Sequence, residues 1–136
     1  MTVIVCVDNS QGMLFNKRRQ SKDKLLLEDI KRILGEKKII ISPFSEKLFK
    51  EYSFSYKVEE FPLLNRDRED IVFVENLRLK EHIEDIDTLI LYRWNRDYPA
   101  DFYLDIDIKN DGFKIKSRRE FMGNSHDKIT REDYTR

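Results

Sequence analysis

Apolar side chains occur in short runs that are separated by polar or amphipathic segments. Three apolar runs predict strands that are buried in the sheet: residues 3–7, 39–41 and 71–74. Residues 89–94, in which Arg93 is the one charged residue, predict a fourth strand. Residues 54–58 alternate only in part and predict a weaker strand.

Helical spacing appears between these runs. Apolar residues at three- and four-residue intervals predict an amphipathic helix after the first run: Leu26, Leu27, Ile30, Ile33 and Leu34. Ser21 is the predicted N-cap of this helix, and Gly35 ends it. The Ser-Pro pair at 42–43 predicts a second helix that continues through Phe49, and residues 76–85 predict a short third one.

Beyond Pro99 the pattern changes to alternation. Antiparallel strands are predicted at 102–108, 113–117 and 129–134, with turns at 110–112 and 123–124. Segments 12–22 and 60–70 are predicted loops. Strand–helix units followed by an antiparallel tail predict the α/β class: a mostly parallel central sheet flanked by helices, with a C-terminal antiparallel hairpin, in a single domain of residues 1–136.

The balance of charges, the length of the apolar runs and the number of cysteines argue against several classes of protein. The 136 residues include 26 Lys and Arg and 26 Asp and Glu, whereas generic nucleic-acid and membrane binders carry a basic excess. The apolar runs are too short to cross a bilayer, and the first residues do not have the pattern of a signal peptide. Because the single cysteine, Cys6, excludes an internal disulfide, we predict a cytoplasmic protein in which Cys6 fills the core.

Several motifs of known chemistry are absent. The four glycines lie far apart, so no glycine-rich phosphate loop is present, and there is no G-x-S-x-G motif. His82 and His126 are distant in sequence and no cysteine pair exists, so no metal site is predicted.

The most unusual local feature is a basic segment, residues 17–24, with five positive charges and one negative charge. It follows the first strand and precedes a helix, where α/β sheets bind ligands and where helix N-termini attract anions. The sequence therefore predicts an anion or phosphate site. The alternative is a solvated loop whose cations pair with residues 59–87, which contain ten acids and four bases.

Three other side chains each have two interpretations. Asp8, at the end of the first strand, could bind a ligand or hydrogen-bond its own loop. Trp94 could offer a stacking surface or lie half-buried beneath arginine stems. His126 could be catalytic or could cap the turn in which it lies.

Two parts of the chain resemble bacterial dihydrofolate reductases in the order and spacing of their residues. Residues 4–9, 12–13 and 15–17 resemble the first strand of that family and the loop over its active site. Residues 89–93, 98–103, 113–121 and 126–134 resemble its last four strands. The resemblance implies the fold of that family.

The departures from the family concern its cofactor and substrate sites. Arg18-Arg19-Gln20 stands where the family has Leu-Pro-Trp, and residues 42–45 replace its phosphate-binding Gly-Arg-x-Thr. Its Gly-Gly pair is replaced near Glu75, where a carboxylate would repel a pyrophosphate. Tyr92 replaces its substrate-binding Thr. These departures predict no cofactor and argue against reductase activity.

The resemblance also implies a catalytic acid near the start of the first helix. Asp23 matches best, although Asp29 lies in a segment that is locally more similar. An acid here is equally an ordinary partner of the helix dipole. The residues predicted to bind a ligand are Asp8, Asn16, Lys17, Arg18, Arg19, Gln20 and Tyr92.

We therefore predict a binding or regulatory protein whose basic segment contacts a small anionic ligand or an acidic protein surface. Two alternatives stay open. One is an enzyme, either an NADPH-dependent reductase with a rebuilt site or a hydrolase that uses Asp8, Asp23 and His126. The other is an immunity- or antitoxin-type protein, in which separated acidic and basic surfaces steer association.

Overall fold

The chain forms ten strands and two α-helices, and the computed structural model describes residues 1–136. In chain order the elements are β1 (Thr2–Val7), β2 (Gly12–Phe15), β3 (Arg18–Arg19), α1 (Lys24–Leu34), β4 (Ile39–Ile41), α2 (Glu46–Glu51), β5 (Tyr56–Val58), β6 (Ile71–Phe73), β7 (Thr88–Arg93), β8 (Phe102–Tyr103), β9 (Lys114–Phe121) and β10 (Ile129–Thr135). Two 3₁₀ turns cover Pro43–Ser45 and Lys80–Asp85.

Seven of the strands form the main sheet, in the order β5-β4-β6-β1-β7-β10-β9. The strands from β5 to β7 are parallel, while β10 runs antiparallel to both β7 and β9. The prediction of a mostly parallel α/β sheet with a C-terminal antiparallel hairpin is confirmed.

The core lies on both faces of the sheet, as the uninterrupted apolar runs predict. Val3, Val5 and Val7 of β1 face one cluster, which is closed by the 3₁₀ turn at 80–85 and the chain around 104–113. Ile4 faces the other cluster, which packs against α1 and α2. Alternate side chains of a strand point to opposite faces, so a strand between two cores needs apolar residues throughout.

The predicted loop at 12–22 instead contains a hairpin. Strands β2 and β3 pair across a two-residue turn, Asn16-Lys17, and β8 completes a small antiparallel sheet. Both turn residues have positive φ, 52° and 60°, as a type I′ turn requires. The usual sequence for this turn is Asn-Gly. Because Lys17 occupies the position of the glycine, the sequence does not predict a hairpin here.

Several predicted boundaries shift. The N-cap of α1 is Asp23, not Ser21, because the Asp23 carboxylate accepts the backbone N–H groups of Leu25 and Leu26. Residues 42–51 begin with a 3₁₀ turn before α2, and the predicted helix at 76–85 is only a 3₁₀ turn. Of the strand predicted at 102–108, only Phe102 and Tyr103 form a strand. None of the helices has the length and hydrophobicity of a membrane span.

Candidate functional site

A cleft lies at the carboxyl ends of β1 and β6, between the β2–β3 hairpin and the start of α1. Its lining includes Cys6, Arg19, Ser21, Asp23, Glu75 and Trp94. The cavity between the lining side chains has a volume of about 20 Å³, which is room for about one water molecule. The cleft is therefore nearly filled by the protein's own side chains.

An ion pair spans the cleft. The Arg19 guanidinium donates two hydrogen bonds to the Glu75 carboxylate, with Nη2 2.7 Å from Oε1, and Ser45 Oγ also donates to Oε1 at 2.7 Å. Burial alone would lower the pKa of Arg19, but the hydrogen bonds and charge of Glu75 raise it. One cation of the basic segment thus pairs with a carboxylate of the acidic middle of the chain.

The cations of the hairpin, Arg19 among them, face α2 and, with Lys22 and Lys47, line what we call the basic groove. Its charged lining consists of Lys17, Arg18, Arg19, Lys22, Lys47 and Glu51. Lys22 Nζ lies 3.3 Å from Glu51 Oε1, and the guanidinium of Arg19 lies 5.6 Å from the centroid of the Phe44 ring. The side chains of Lys17, Arg18 and Lys47 are exposed and form no ion pair in the protein.

Asp8 hydrogen-bonds its own loop. Its Oδ1 accepts the backbone N–H groups of Ser10 at 2.8 Å and Gly12 at 2.7 Å, and its Oδ2 accepts Gln20 Nε2 at 2.9 Å. A Cβ on Gly12 would lie 2.6 Å from Asp8 Oδ2, so glycine is what lets the carboxylate approach the chain. Asp8 and Gln20 together anchor the hairpin to the end of β1.

The Asp23 carboxylate joins the start of α1 to the turn at 123–126. Besides capping the helix, it accepts the backbone N–H groups of Asn124 at 2.9 Å and Ser125 at 2.8 Å. A Cβ on Gly123 would lie 2.5 Å from its Oδ2. Burial alone would raise the pKa of Asp23, but the hydrogen bonds outweigh burial and lower it from 3.8 to about 2.

His126 is buried and bonded through both ring nitrogens. Its Nδ1 lies 3.0 Å from Asp23 Oδ2, and its Nε2 lies 3.1 Å from Ser21 Oγ and 3.0 Å from the Tyr98 hydroxyl. The Trp94 indole stacks on the imidazole, with ring centroids 4.6 Å apart and planes 26° apart. Trp94 is buried against this ring, so the interpretation that places it half-buried beneath arginine stems is wrong.

Asp29 lies on the same helix but in a separate cluster, which we call the Asp29 joint. Its carboxylate accepts hydrogen bonds from the Tyr92 hydroxyl at 2.7 Å, Arg119 Nη1 at 2.7 Å and Arg131 Nη1 at 2.8 Å. Burial and the Asp29 charge raise the pKa of Tyr92. The joint fastens α1 to β7, β9 and β10, and Tyr92 is not part of the cleft lining.

Two other predicted residues lie at the edges of the site. Asn16 is at the tip of the hairpin, where its backbone N–H donates to Asp101 Oδ2 at 3.0 Å. Cys6 lines the cleft beneath Arg19 and Glu75. Burial, and next the Glu75 charge, raise the pKa of the Cys6 thiol, which therefore stays protonated at neutral pH.

The sequence does not reveal the partners that complete this site. It predicts Glu75 as an obstacle to a pyrophosphate and not as the partner of Arg19, and it predicts Ser21 as a helix cap. The spacing Ser21-Lys22-Asp23 is a local signal that both side chains lie near the start of α1. Nothing in the local pattern links them to His126, which is more than a hundred positions away.

Comparison with known proteins shows the fold and no more. No family model matches the chain, and no curated protein matches it by sequence. Among solved structures it is similar to the dihydrofolate reductase from Enterococcus faecalis, which was solved in complex with NADP(H) and RAB-propyl. The TM-score is 0.67 over 99% of this chain and 95% of that chain, at 12% sequence identity. The chain has a dihydrofolate reductase-like fold, as its resemblance to that family predicts.

Proposed function

We propose that this protein binds a small anion with two or more negative charges in the basic groove, and that it is not an NADPH-dependent reductase. The observation that carries the proposal is the convergence of five cations and one carboxylate on one concave surface. Three of those cations form no ion pair in the protein, so their charge is available to a ligand.

The groove has suitable chemistry for such a ligand. Clustered charges of one sign raise the local concentration of a counter-ion and speed its association. The guanidinium of Arg18 can donate a fork of two hydrogen bonds to a phosphate or carboxylate, while Lys17 and Lys47 act as point charges. Because the groove is open to solvent, salt should weaken the interaction strongly.

The geometry of the cleft argues against a dinucleotide. The Glu75 carboxylate follows β6, where the resemblance implies the glycine pair that approaches a cofactor pyrophosphate. A bound pyrophosphate would meet this negative charge at short range, and Glu75 is already held by Arg19 and Ser45.

The shape of the site favours a small ligand over an acidic protein surface. The cations come from the β2–β3 turn, β3, the chain before α1 and α2, and they surround a depression and do not spread over a flat face. A ligand that enters the depression can contact several of them at once. An acidic protein partner is the other outcome that the experiment below distinguishes.

Isothermal titration with inorganic pyrophosphate and with citrate tests the proposal. We expect both anions to bind the wild-type protein, more weakly at about 200 mM than at about 20 mM NaCl. The double variant Arg18→Ala/Lys47→Ala should bind at least about tenfold more weakly, which is about 1.4 kcal/mol. The matched control is Lys114→Ala/Lys116→Ala, which removes two exposed cations from β9 at the far edge of the sheet and should bind as the wild type does.

Two kinds of result would contradict the proposal. If neither anion binds, or if the two double variants bind equally well, the small-ligand proposal fails and an acidic protein surface becomes the better hypothesis. NADPH serves as a third probe, which we expect to bind no more tightly than pyrophosphate. NADPH binding that greatly exceeds pyrophosphate binding and survives Arg18→Ala/Lys47→Ala would instead support a rebuilt reductase site.

A further inference from the structure

A hydroxyl, an imidazole and a carboxylate form a hydrogen-bonded row at the edge of the cleft. Ser21 Oγ lies 3.1 Å from His126 Nε2, and His126 Nδ1 lies 3.0 Å from Asp23 Oδ2. Ser21 is half-buried and lines the cleft, whereas the side chains of His126 and Asp23 are at most 2% exposed. We propose that Ser21, His126 and Asp23 form a nucleophilic triad that hydrolyses small carboxylic esters, an activity independent of anion binding in the basic groove.

The hydrogen-bond partners set the tautomer that such a triad requires. An ionised carboxylate only accepts hydrogen bonds, so His126 Nδ1 carries the proton that lies between it and Asp23. In the neutral imidazole the other nitrogen, Nε2, then presents its lone pair to Ser21. This is the order of atoms in which a general base activates a serine hydroxyl.

The surroundings hold the imidazole in place. Backbone N–H groups from two segments fix the Asp23 carboxylate, and Gly123 leaves room for it. The stacked Trp94 ring covers one face of the imidazole. His126 therefore cannot turn away from Ser21 without breaking these contacts, which is the preorganisation that catalysis by a triad needs.

Tyr98 shares the nitrogen that Ser21 uses. Its hydroxyl lies 3.0 Å from His126 Nε2, which has a single lone pair in the neutral imidazole. Only one of the two hydroxyls can donate to that nitrogen at a time. Tyr98 thus holds back the nucleophile, and its removal should make Ser21 more reactive.

The proposed reaction balances without a cofactor. Ser21 Oγ attacks the ester carbonyl carbon while its proton passes to His126 Nε2, and the tetrahedral intermediate collapses with cleavage of the bond to the alcohol oxygen. The alcohol leaves with the proton from Nε2. Water then attacks the acyl-serine, gives a proton to Nε2, and releases the carboxylic acid as that proton returns to Ser21 Oγ. Asp23 stays ionised throughout.

Two assays on the full chain test the triad: hydrolysis of p-nitrophenyl acetate, and labelling by a fluorophosphonate with the labelled residue located by mass spectrometry. We expect the label on Ser21, and we expect Ser21→Ala to lose the label and at least about a hundredfold of the hydrolysis rate. Tyr98→Phe should label several-fold faster than the wild type. His82→Gln removes the only other imidazole of the chain and should leave both readouts unchanged.

The proposal is overturned if Ser21 takes up no label in the wild type and in Tyr98→Phe while both are folded by circular dichroism. It is also overturned if Ser21→Ala hydrolyses the ester as fast as the wild type does. Ser21→Ala removes one half-buried oxygen and leaves the Asp23 cap in place, so a loss of activity would not reflect unfolding. Anion binding in the basic groove should survive this substitution, so the two proposals fail separately.

Discussion

Two buried carboxylates lie along helix α1, Asp23 at its start and Asp29 in its middle, and they are stabilised by opposite means. At the middle of the helix, Asp29 is neutralised by two guanidiniums and a phenol that belong to three different strands. At the start of the helix, Asp23 is held mainly by backbone N–H groups, which leave its charge uncompensated.

This difference separates a structural joint from a site. The Asp29 carboxylate is surrounded by two guanidiniums and a buried phenol, so its oxygens are already used as hydrogen-bond acceptors. Its function is to fasten the helix to the sheet. A carboxylate held by neutral dipoles keeps its negative charge next to His126, at the edge of a cleft. The proposed chemistry therefore lies at the start of the helix, whereas the Asp29 joint has a structural role only.

The largest effect should come from Asp29→Ala. This substitution leaves the Tyr92 hydroxyl buried without an acceptor, and it leaves Arg131, whose side chain is 18% exposed, without its main partner. We expect a loss of about 3 kcal/mol in the free energy of unfolding, measured with urea. Glu28→Ala, on the exposed face of the same helix, is the control and should cost less than about 0.5 kcal/mol. A cost below about 1 kcal/mol at Asp29 would contradict its structural role.

The hydrogen bonds of Asp23 should make the free energy of unfolding depend on pH in the acid range. Its pKa is lowered from 3.8 to about 2, so the native state favours the ionised form, and the stabilisation is complete above pH 4. It amounts to about 2 kcal/mol and is lost as the pH falls from about 4 to about 2. Urea unfolding across this window should therefore be less steeply pH-dependent for Asp23→Asn than for the wild type. Parallel curves for the two proteins would be inconsistent with the hydrogen bonding of Asp23.

The two adjacent arginines of β3 should differ by a smaller amount. Arg19→Ala leaves the buried Glu75 carboxylate with Ser45 alone, so we expect a cost of about 1 to 2 kcal/mol. Arg18→Ala removes an exposed charge without an intramolecular partner and should cost less than about 0.5 kcal/mol. Thermal unfolding of the two single variants measures the difference, and an equal cost would remove the distinction between the cleft and the basic groove.

Much of the fold could be predicted because its determinants are local. Buried parallel strands need unbroken apolar runs, and α1 needs its apolar spacing and a glycine after its end, so these elements were found near their observed bounds. The hairpin at 12–19 is not predicted, because Lys17 adopts a positive φ, 60°, and lysine gives no indication of that conformation. The prediction of a strand at 102–108 is wrong beyond Tyr103. Leu104 and Ile106 are apolar because they pack into the core, but their segment forms no strand hydrogen bonds.

The candidate site was harder to predict because its contacts are long-range. The choice between Asp23 and Asp29 depends on Arg119, Arg131 and His126, all about a hundred positions further along the chain. Periodicity and spacing carry no information about which of these strands and turns will reach the helix. The basic segment was visible from composition, but only the structure separates Arg19, which binds Glu75, from Arg18, which does not.

Mapping of anion binding by amide chemical shifts tests the central claim most directly, because it shows whether a ligand binds near the start of α1 or at the Asp29 joint. In ¹H–¹⁵N spectra of the labelled protein titrated with inorganic pyrophosphate, we expect the amides of residues 17–22 and 44–51 to shift. Those of Asp29, Tyr92, Arg119 and Arg131 should stay unchanged. Shifts centred on the Asp29 joint, or no shifts at pyrophosphate concentrations of several millimolar, would contradict the account.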